Sequence, residues 1–287
     1  MKKILVPIDF STNSKNASEY ALHVCHATGA SMTLLHCFYD PFSNTEVPNY
    51  KLKDPEDVTE VIQQGPFIEA EKDLEGLFDA LHLSAKKLEF DHINIDKKII
   101  DGFPEAEIIK EAESNNYDFI VMARNNDEQI RKKLFGSVIL HVMRNARIPV
   151  LSIPKNSKFK AINTLMYASE FSDTDVELVE KHINLFRESV SEYHYVHVDT
   201  HKQTDRHEEF KVAISDIRGK LETNTIVFNT ISDKSVSDVI SNYVNEHEID
   251  MLIMSPHKMN IFERLFHASL TNKMMSHLDI PVLAFHD

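Results

Sequence analysis

Three side chains near the start of the sequence carry the groups that nucleophilic catalysis uses. Ser11 offers a hydroxyl, His36 a base and Asp9 a carboxylate, and all three fall near the ends of short apolar runs. A catalytic triad also needs its base to be oriented by a third group, and nothing in the sequence establishes that arrangement. The sequence also lacks the G-x-S-x-G turn of many hydrolases. We therefore do not predict an enzyme from these residues.

A second group of side chains has the spacing of metal ligands. His197, Asp199 and His201 alternate along the chain, so an extended strand could point all three to one side. However, His197 falls at a predicted strand end, Thr200 begins a predicted loop, and no cysteine lies nearby. A cluster in sequence alone seldom fixes ligand geometry. We expect no metal ion here.

The elements that must position these groups occur twice in the chain. Residues 4–11 (ILVPIDFS) align with 165–172 (LMYASEFS) at an offset of 161, and His36 aligns with His197 at the same offset. From Asp118 onward the offset is 132, so copy one carries 29 extra residues. We place them in the stretch 40–66, which is rich in proline and polar residues and is predicted to be a loop.

Each copy alternates short apolar runs with helical patterns. In copy one the predicted strands are 3–8, 32–37, 93–99, 118–123 and 149–153, and the predicted helices are 14–29, 67–89, 104–115 and 137–146. In copy two the predicted strands are 162–168, 193–198, 225–230, 250–254 and 281–285, and the predicted helices are 173–188, 204–222, 235–246 and 269–277. This alternation predicts an α/β fold with a mostly parallel sheet covered by helices on both faces.

The two copies predict two tandem domains, 1–154 and 159–287. The polar segment 154–158 between them is short, which favours a packed, pseudo-twofold pair over two independent domains. Whether the chain pairs further into a homodimer stays open.

Composition narrows the classes of partner and compartment. The chain has 45 acidic and 31 basic side chains, a formal charge of -14 that would repel nucleic acid and anionic lipid. No apolar run approaches the roughly 20 residues that cross a bilayer. The two cysteines, Cys25 and Cys37, form no CxxC motif and no disulfide framework. We predict a cytoplasmic protein with no nucleic-acid or membrane partner.

Several short motifs, in a fixed order, resemble those of the universal stress protein family, and the resemblance extends over the whole chain twice. They are ILVPIDFS (4–11), Leu35-His36, Gly102-Phe103-Pro104, Gly136-Ser137-Val138 and Ile148-Pro149-Val150. The resemblance implies open parallel-sheet domains of the Rossmann-like, adenine nucleotide alpha hydrolase-like type. It also implies a ligand site at the carboxyl ends of the strands.

ATP-binding members of that family carry a loop of the form G-x-x-G, nine residues, G-[ST], whose backbone N–H groups approach phosphates. Ala123, Asn126, Gly136 and Ser137 occupy its four positions here. Asn126 can adopt the left-handed conformation, whereas Ala123 adds a methyl group on the phosphate path. Arg124 and the basic run 131–133 could supply positive charge. The resemblance further implies ligand contacts from Pro7, Ile8, Asp9, Cys37 and Val138.

These residues also have explanations that need no ligand. Asp9 could support the cap of the following helix, with Ser11 as the N-cap residue, and Gly136-Ser137 could be a turn with a helix cap. Copy two departs further from the family pattern, because Glu170 replaces Asp9. Its loop positions hold no glycine but Ser255, Lys258, Ala268 and Ser269. We predict no ATP site in copy two.

The leading hypothesis is a cytoplasmic stress-response protein that binds ATP or AMP in domain 1, with domain 2 as a degenerate structural or regulatory partner. One alternative is a nucleotide-independent scaffold that recruits an unknown protein partner. The other is slow ATP hydrolysis in copy one.

Overall fold

A computed structural model describes residues 2–39, 55–124, 135–155, 157–169, 173–186, 190–200, 212, 225–255 and 278–285. The described chain divides at Ile148 into two units, each with its own core. The domain limits 1–154 and 159–287 stay a prediction.

The first unit contains a four-stranded parallel sheet in the order β3-β2-β1-β4. The strands are β1 (Lys3–Pro7), β2 (Ser31–Phe38), β3 (Ile95–Asp101) and β4 (Phe119–Ala123). The helices are α1 (Thr12–Thr28), α2 (Pro55–Lys87), α3 (Pro104–Ser114) and α4 (Phe135–Asn145). The strand order reverses between β1 and β4, which is where open α/β sheets bind ligands.

Helix α1 shows how local sequence fixes the ends of these elements. It begins after Ser11, whose side chain accepts a hydrogen bond from the Ser14 N–H, as an N-cap residue does. It is followed by the C-cap residue Gly29, which has a φ of 66° and donates its N–H to the carbonyl of Cys25. A glycine tolerates this left-handed conformation because it has no Cβ. Only residues 8–11 separate β1 from α1, so the helix starts near the carboxyl end of β1.

The second unit contains six described strands in the order β5-β10-β9-β6-β7-β8. They are β5 (Val150–Ile153), β6 (Thr164–Ala168), β7 (Glu192–Asp199), β8 (Thr225–Ser232), β9 (Met251–Met254) and β10 (Val282–Ala284). Its described helices are α5 (Asp173–Phe186) and α6 (Val236–Glu246). All these pairings are parallel except β5 with β10. The predicted α/β class with mostly parallel sheets is confirmed.

The sequence repeat recurs in the backbone hydrogen bonds of the two units. The N–H of Ile8 donates to the Leu35 carbonyl at 2.8 Å, and the N–H of Ser169 donates to the Val196 carbonyl at 3.0 Å. Both members of the second pair lie 161 positions after those of the first. The two copies therefore share the connection between their first two strands.

One predicted loop is wrong in part. The stretch 40–66 is predicted to be a loop, but α2 begins at Pro55 and its backbone is helical through 66. Proline is favoured in the first turn of a helix because its missing N–H has no partner there, and the acidic Glu56 and Asp57 suit the same turn. Residues 40–54 lie outside the described residues, as do most of the predicted helix 204–222 and all of the predicted helix 269–277.

Asp250, just before β9, ties the start of β6 in the second unit. Its Oδ2 accepts hydrogen bonds from the backbone N–H groups of Asn163 at 2.9 Å and Thr164 at 3.0 Å, and its Oδ1 accepts one from Lys160 Nζ at 2.8 Å. Burial by itself would raise the pKa of Asp250, but these hydrogen bonds outweigh burial and lower it. A carboxyl with a lowered folded-state pKa stabilises the fold above its unfolded pKa, and that contribution is lost as the pH falls through the folded pKa.

We expect Asp250→Asn to lower the free energy of unfolding by about 1–2 kcal/mol at pH 7, because a charged acceptor of three hydrogen bonds is lost. As the pH falls, the free energy of unfolding of the variant should also decline less than that of the wild type. Urea denaturation at pH 7 and at lower pH measures both effects.

Asp118 provides the matched control for Asp250. It precedes β4 in the first unit and, within the described residues, its carboxylate accepts one hydrogen bond, from the Lys3 N–H at 2.7 Å. Asp118→Asn should lower the free energy of unfolding at pH 7 by less than Asp250→Asn does. Equal losses in the two variants would contradict this account of Asp250.

Within the described part of the chain, no helix is both long and apolar enough to cross a membrane.

Candidate functional site

A cleft opens in the first unit where the carboxyl ends of β1, β2 and β4 meet the amino-terminal turns of α1, α3 and α4. Its polar lining consists of Asp9, Ser11, Asn13, Ser14 and His36. Its apolar lining consists of Pro7, Ile8, Leu35, Cys37, Pro104, Ile108, Met122, Ala123, Val138 and Ile139. Apolar walls with a few converging polar groups are typical of a site for a small organic molecule.

Asp9 is the carboxylate of this cleft, and one of its oxygens is fixed by the next turn of the chain. Its Oδ1 accepts hydrogen bonds from the Ser11 N–H at 3.0 Å and the Ser11 hydroxyl at 2.6 Å. The Ser11 oxygen in turn accepts from the Ser14 N–H at 3.2 Å. Among the described residues, none donates to the other oxygen, Asp9 Oδ2. Asp9 therefore supports the helix cap through one oxygen and offers the second as an acceptor.

The corner between β1 and α1 has an unusual backbone. Phe10 has a φ of 60°, a left-handed conformation that is uncommon for residues with a side chain. Its ring lies 4.4 Å from the ring of His36, centroid to centroid. His36 Nδ1 lies 2.8 Å from the carbonyl oxygen of Ile8 and must donate, since a carbonyl only accepts. His36 thus contacts both sides of the corner that carries Asp9.

A second corner brings α3 to the cleft. Gly102 donates its N–H to the Phe38 carbonyl at 2.8 Å and has a φ of 150°. A Cβ at Gly102 would lie 2.7 Å from Cγ of Glu107. Phe103 follows in extended conformation, and Pro104 occupies the first turn of α3. This corner places Pro104 and Ile108 in the cleft wall.

Cys37 contributes an apolar contact to the cleft and not a nucleophile. Burial, with a further contribution from the negative charges of Glu107 and Glu111, raises the pKa of its thiol to about 12. Because the thiolate is the reactive form, the thiol is inert at neutral pH.

The cleft brings together six of the residues implied by the family resemblance, namely Pro7, Ile8, Asp9, Cys37, Ala123 and Val138. Arg124 is not part of the lining, and its side chain is buried at the end of β4. Gly136 and Ser137 lie in the first turn of α4. Asn126 and the basic run 131–133 lie outside the described residues.

The family motifs assign no ligand contact to Asn13, Ser14, Met122 or Ile139, which line the cleft. The N-cap at Ser11 was the available signal for the first two, because the residues after a cap at a strand end face the same edge of the sheet. Met122 and Ile139 carry no such signal, since their apolar side chains look like core residues.

The equivalent positions of the second unit are joined to one another instead. Ser169 and Asp175 lie 161 positions after Ile8 and Ser14. The Ser169 hydroxyl donates to Asp175 Oδ2 at 2.8 Å, and the Tyr167 hydroxyl donates to Asp175 Oδ1 at 2.6 Å. All three side chains are buried. We call Tyr167, Ser169 and Asp175 the buried triad.

A parallel sheet with a cleft at its carboxyl edge, in a chain built from two related copies, defines a tandem Rossmann-like protein. The chain belongs to the universal stress protein family, because the model of that family matches residues 1–154 and again 162–286.

Individual proteins and solved structures resemble the chain over part or all of its length. A universal stress protein of Methanocaldococcus jannaschii is 27% identical over 159 residues, which are 55% of this chain and 84% of that protein. The crystal structure of a universal stress protein from Archaeoglobus fulgidus covers 99% of this chain and 96% of its own, with a TM-score of 0.65 at 19% identity, and so shares the fold. A universal stress protein solved in complex with cAMP matches 53% of this chain and 96% of its own at 18% identity, with a TM-score of 0.37.

Proposed function

We propose that the cleft of the first unit binds an adenine nucleotide, ATP or AMP, and that the protein serves a cytoplasmic stress response. Family membership supports the role in stress response. The observation that carries the ligand proposal is Asp9, whose Oδ1 is fixed by Ser11 while its Oδ2 takes no hydrogen bond within the described residues. An acceptor held in place at the edge of an apolar cleft suits the donors of a nucleoside.

Each wall of the cleft has a role in this proposal. Ile8, Cys37 and Ile108 offer apolar surface to the adenine ring, and Asp9 Oδ2 accepts from its amino group or from a ribose hydroxyl. The first turn of α4, which includes Gly136 and Ser137, directs backbone N–H groups and the positive end of the helix dipole at the phosphates.

In this proposal the second unit binds no nucleotide and serves as the partner of the first unit. The buried triad supports that role, because two of its members occupy positions that line the cleft in the first unit. A ligand could enter there only by displacing hydrogen bonds between buried groups, which is costly.

Equilibrium titration with AMP and with ATP tests the proposal. We expect Asp9→Ala to weaken binding by about tenfold or more, because a charged acceptor is lost. Gly136→Val should also weaken binding, since it alters the first turn of α4.

Asp101→Ala is the matched control for Asp9. Asp101 ends β3 at the same edge of the sheet and does not line the cleft, so its loss should leave the affinity unchanged. Absence of binding at millimolar nucleotide, or equal effects of Asp9→Ala and Asp101→Ala, would overturn the proposal.

A nucleotide-independent scaffold is the second candidate, and one observation favours it. Tyr39 and Phe103 stack with their centroids 4.4 Å apart and are 53% and 57% exposed, respectively. Exposed aromatic side chains are enriched in protein interfaces. Mass spectrometry of small molecules released from the purified, denatured protein separates the two candidates: an adenine nucleotide supports the first and a ligand-free protein the second.

A further inference from the structure

The corner that carries Asp9 is held from outside its own segment. Phe10 lies between Asp9 and the N-cap residue Ser11, and its φ of 60° is one that a phenylalanine adopts only at an energetic cost. Such a conformation persists when its surroundings over-determine it. Contacts from outside the segment therefore add to the hydrogen bonds between Asp9 and Ser11 in keeping this corner in place.

His36, near the carboxyl end of β2, makes contacts that hold the corner. Its Nδ1 donates to the Ile8 carbonyl at 2.8 Å, and its ring packs on Phe10 at 4.4 Å with an angle of 35° between the planes. The N–H of Ile8 is bound as well, because it donates to the Leu35 carbonyl at 2.8 Å. Ile8 directly precedes Asp9, and its N–H and carbonyl are thus hydrogen-bonded to two consecutive residues of β2.

In the second unit a histidine makes the same hydrogen bond, next to the buried triad. His197 Nδ1 lies 3.0 Å from the Ser169 carbonyl, which is the bond of His36 with Ile8 moved by 161 positions. There the side chain of Ser169 donates to Asp175 within the buried triad. A substitution of His197 therefore measures how much this hydrogen bond contributes to the stability of the fold, away from the cleft.

We propose that His36 is a positioning residue of the nucleotide cleft: it holds the Ile8 carbonyl and the Phe10 ring so that the left-handed corner presents Asp9 to the ligand. This inference rests on the proposed function of the cleft. His36 lines the cleft, but its action on the ligand runs through Asp9.

Three variants of the full chain test the proposal, with AMP as the probe. His36→Leu removes both the donor and the aromatic ring, and we expect it to weaken AMP binding about tenfold. His36→Asn keeps an amide N–H that can reach the Ile8 carbonyl, so it should recover part of that loss. His197→Leu should lower thermal stability to a similar extent and leave the affinity for AMP unchanged.

The conformation of Phe10 without ligand provides a second measurement. The backbone carbon chemical shifts and the HN–Hα coupling of Phe10 report its φ, and we expect the left-handed values in the wild type and in His36→Asn but not in His36→Leu.

If the wild type binds AMP and His36→Leu binds it equally well, the positioning role is wrong and the proposed function survives. If the wild type binds no AMP, the proposed function fails. The positioning role then fails as well if Phe10 keeps its conformation in His36→Leu.

Discussion

Asp175→Ala is expected to lower the free energy of unfolding by about 3 kcal/mol, one of the two largest effects we predict for a single substitution in the chain. The carboxylate is buried and accepts hydrogen bonds from the hydroxyls of Tyr167 and Ser169. Removing it takes the acceptor away from both hydroxyls inside the core and leaves a cavity beside them. Urea denaturation followed by circular dichroism measures the loss.

Ser14→Ala is the matched control, because Ser14 holds the equivalent position of the first unit. Ser14 is buried too, but it lines the cleft and its hydroxyl donates to the Ser11 carbonyl at 3.1 Å. We expect a loss of about 1 kcal/mol or less. Asp175→Asn, which keeps one carbonyl acceptor, should fall between the two. A loss for Asp175→Ala no greater than that for Ser14→Ala would show that the buried triad is not what stabilises this part of the second unit.

Gly102→Val is expected to cost about 2–3 kcal/mol, because it combines backbone strain with a steric clash. Gly102 has a φ of 150°, which side chains rarely adopt, and a Cβ would lie 2.7 Å from Cγ of Glu107. The corner also fixes the start of α3, so we expect the affinity for AMP to fall as Pro104 and Ile108 move. Thermal denaturation and AMP titration of the same sample give both results.

Gly76→Ala is the matched control for Gly102→Val, and we expect it to change the stability in the opposite direction. Gly76 lies inside α2, and apart from its own helix backbone a Cβ there would meet no heavy atom of the described residues within 4 Å. Alanine should stabilise the helix by about 0.5–1 kcal/mol, since glycine loses more conformational freedom on folding. If both glycine variants destabilise the protein, the space around these two positions does not control their stability.

The features of the fold that the sequence predicts are those that repeat or that are local. The segment at Ile8 and the segment at Ser169 align because both must form the same buried strand and the same bond to the next strand. The helix cap at Ser11 is visible for a similar reason, since it involves residues three apart. The start of α2 at Pro55 is not visible in the same way, because proline and polar residues suit both a loop and the first turn of a helix.

The candidate site is predictable only where the family motifs reach it. Asp9 and Cys37 follow from the resemblance, whereas Met122 and Ile139 enter the cleft through the packing of β4 and α4. The left-handed corner at Phe10 cannot be foreseen, because phenylalanine is not a residue that favours positive φ. The buried triad depends on a strand and a helix meeting in three dimensions, and no spacing rule in the sequence describes that meeting.

The antiparallel pairing of β5 with β10 has a consequence for the rate of folding. Leu151 of β5 pairs with Leu283 of β10, more than a hundred residues further along the chain. Such a contact forms only after a long loop has closed, and the entropy of closure is lost before the pairing can compensate for it. Until β10 arrives, the apolar strand β5 has one of its edges open to pairing with other chains. The slow step in folding, and the period in which the chain is most prone to aggregate, should therefore depend on long-range pairings of this kind, this pair of strands among them.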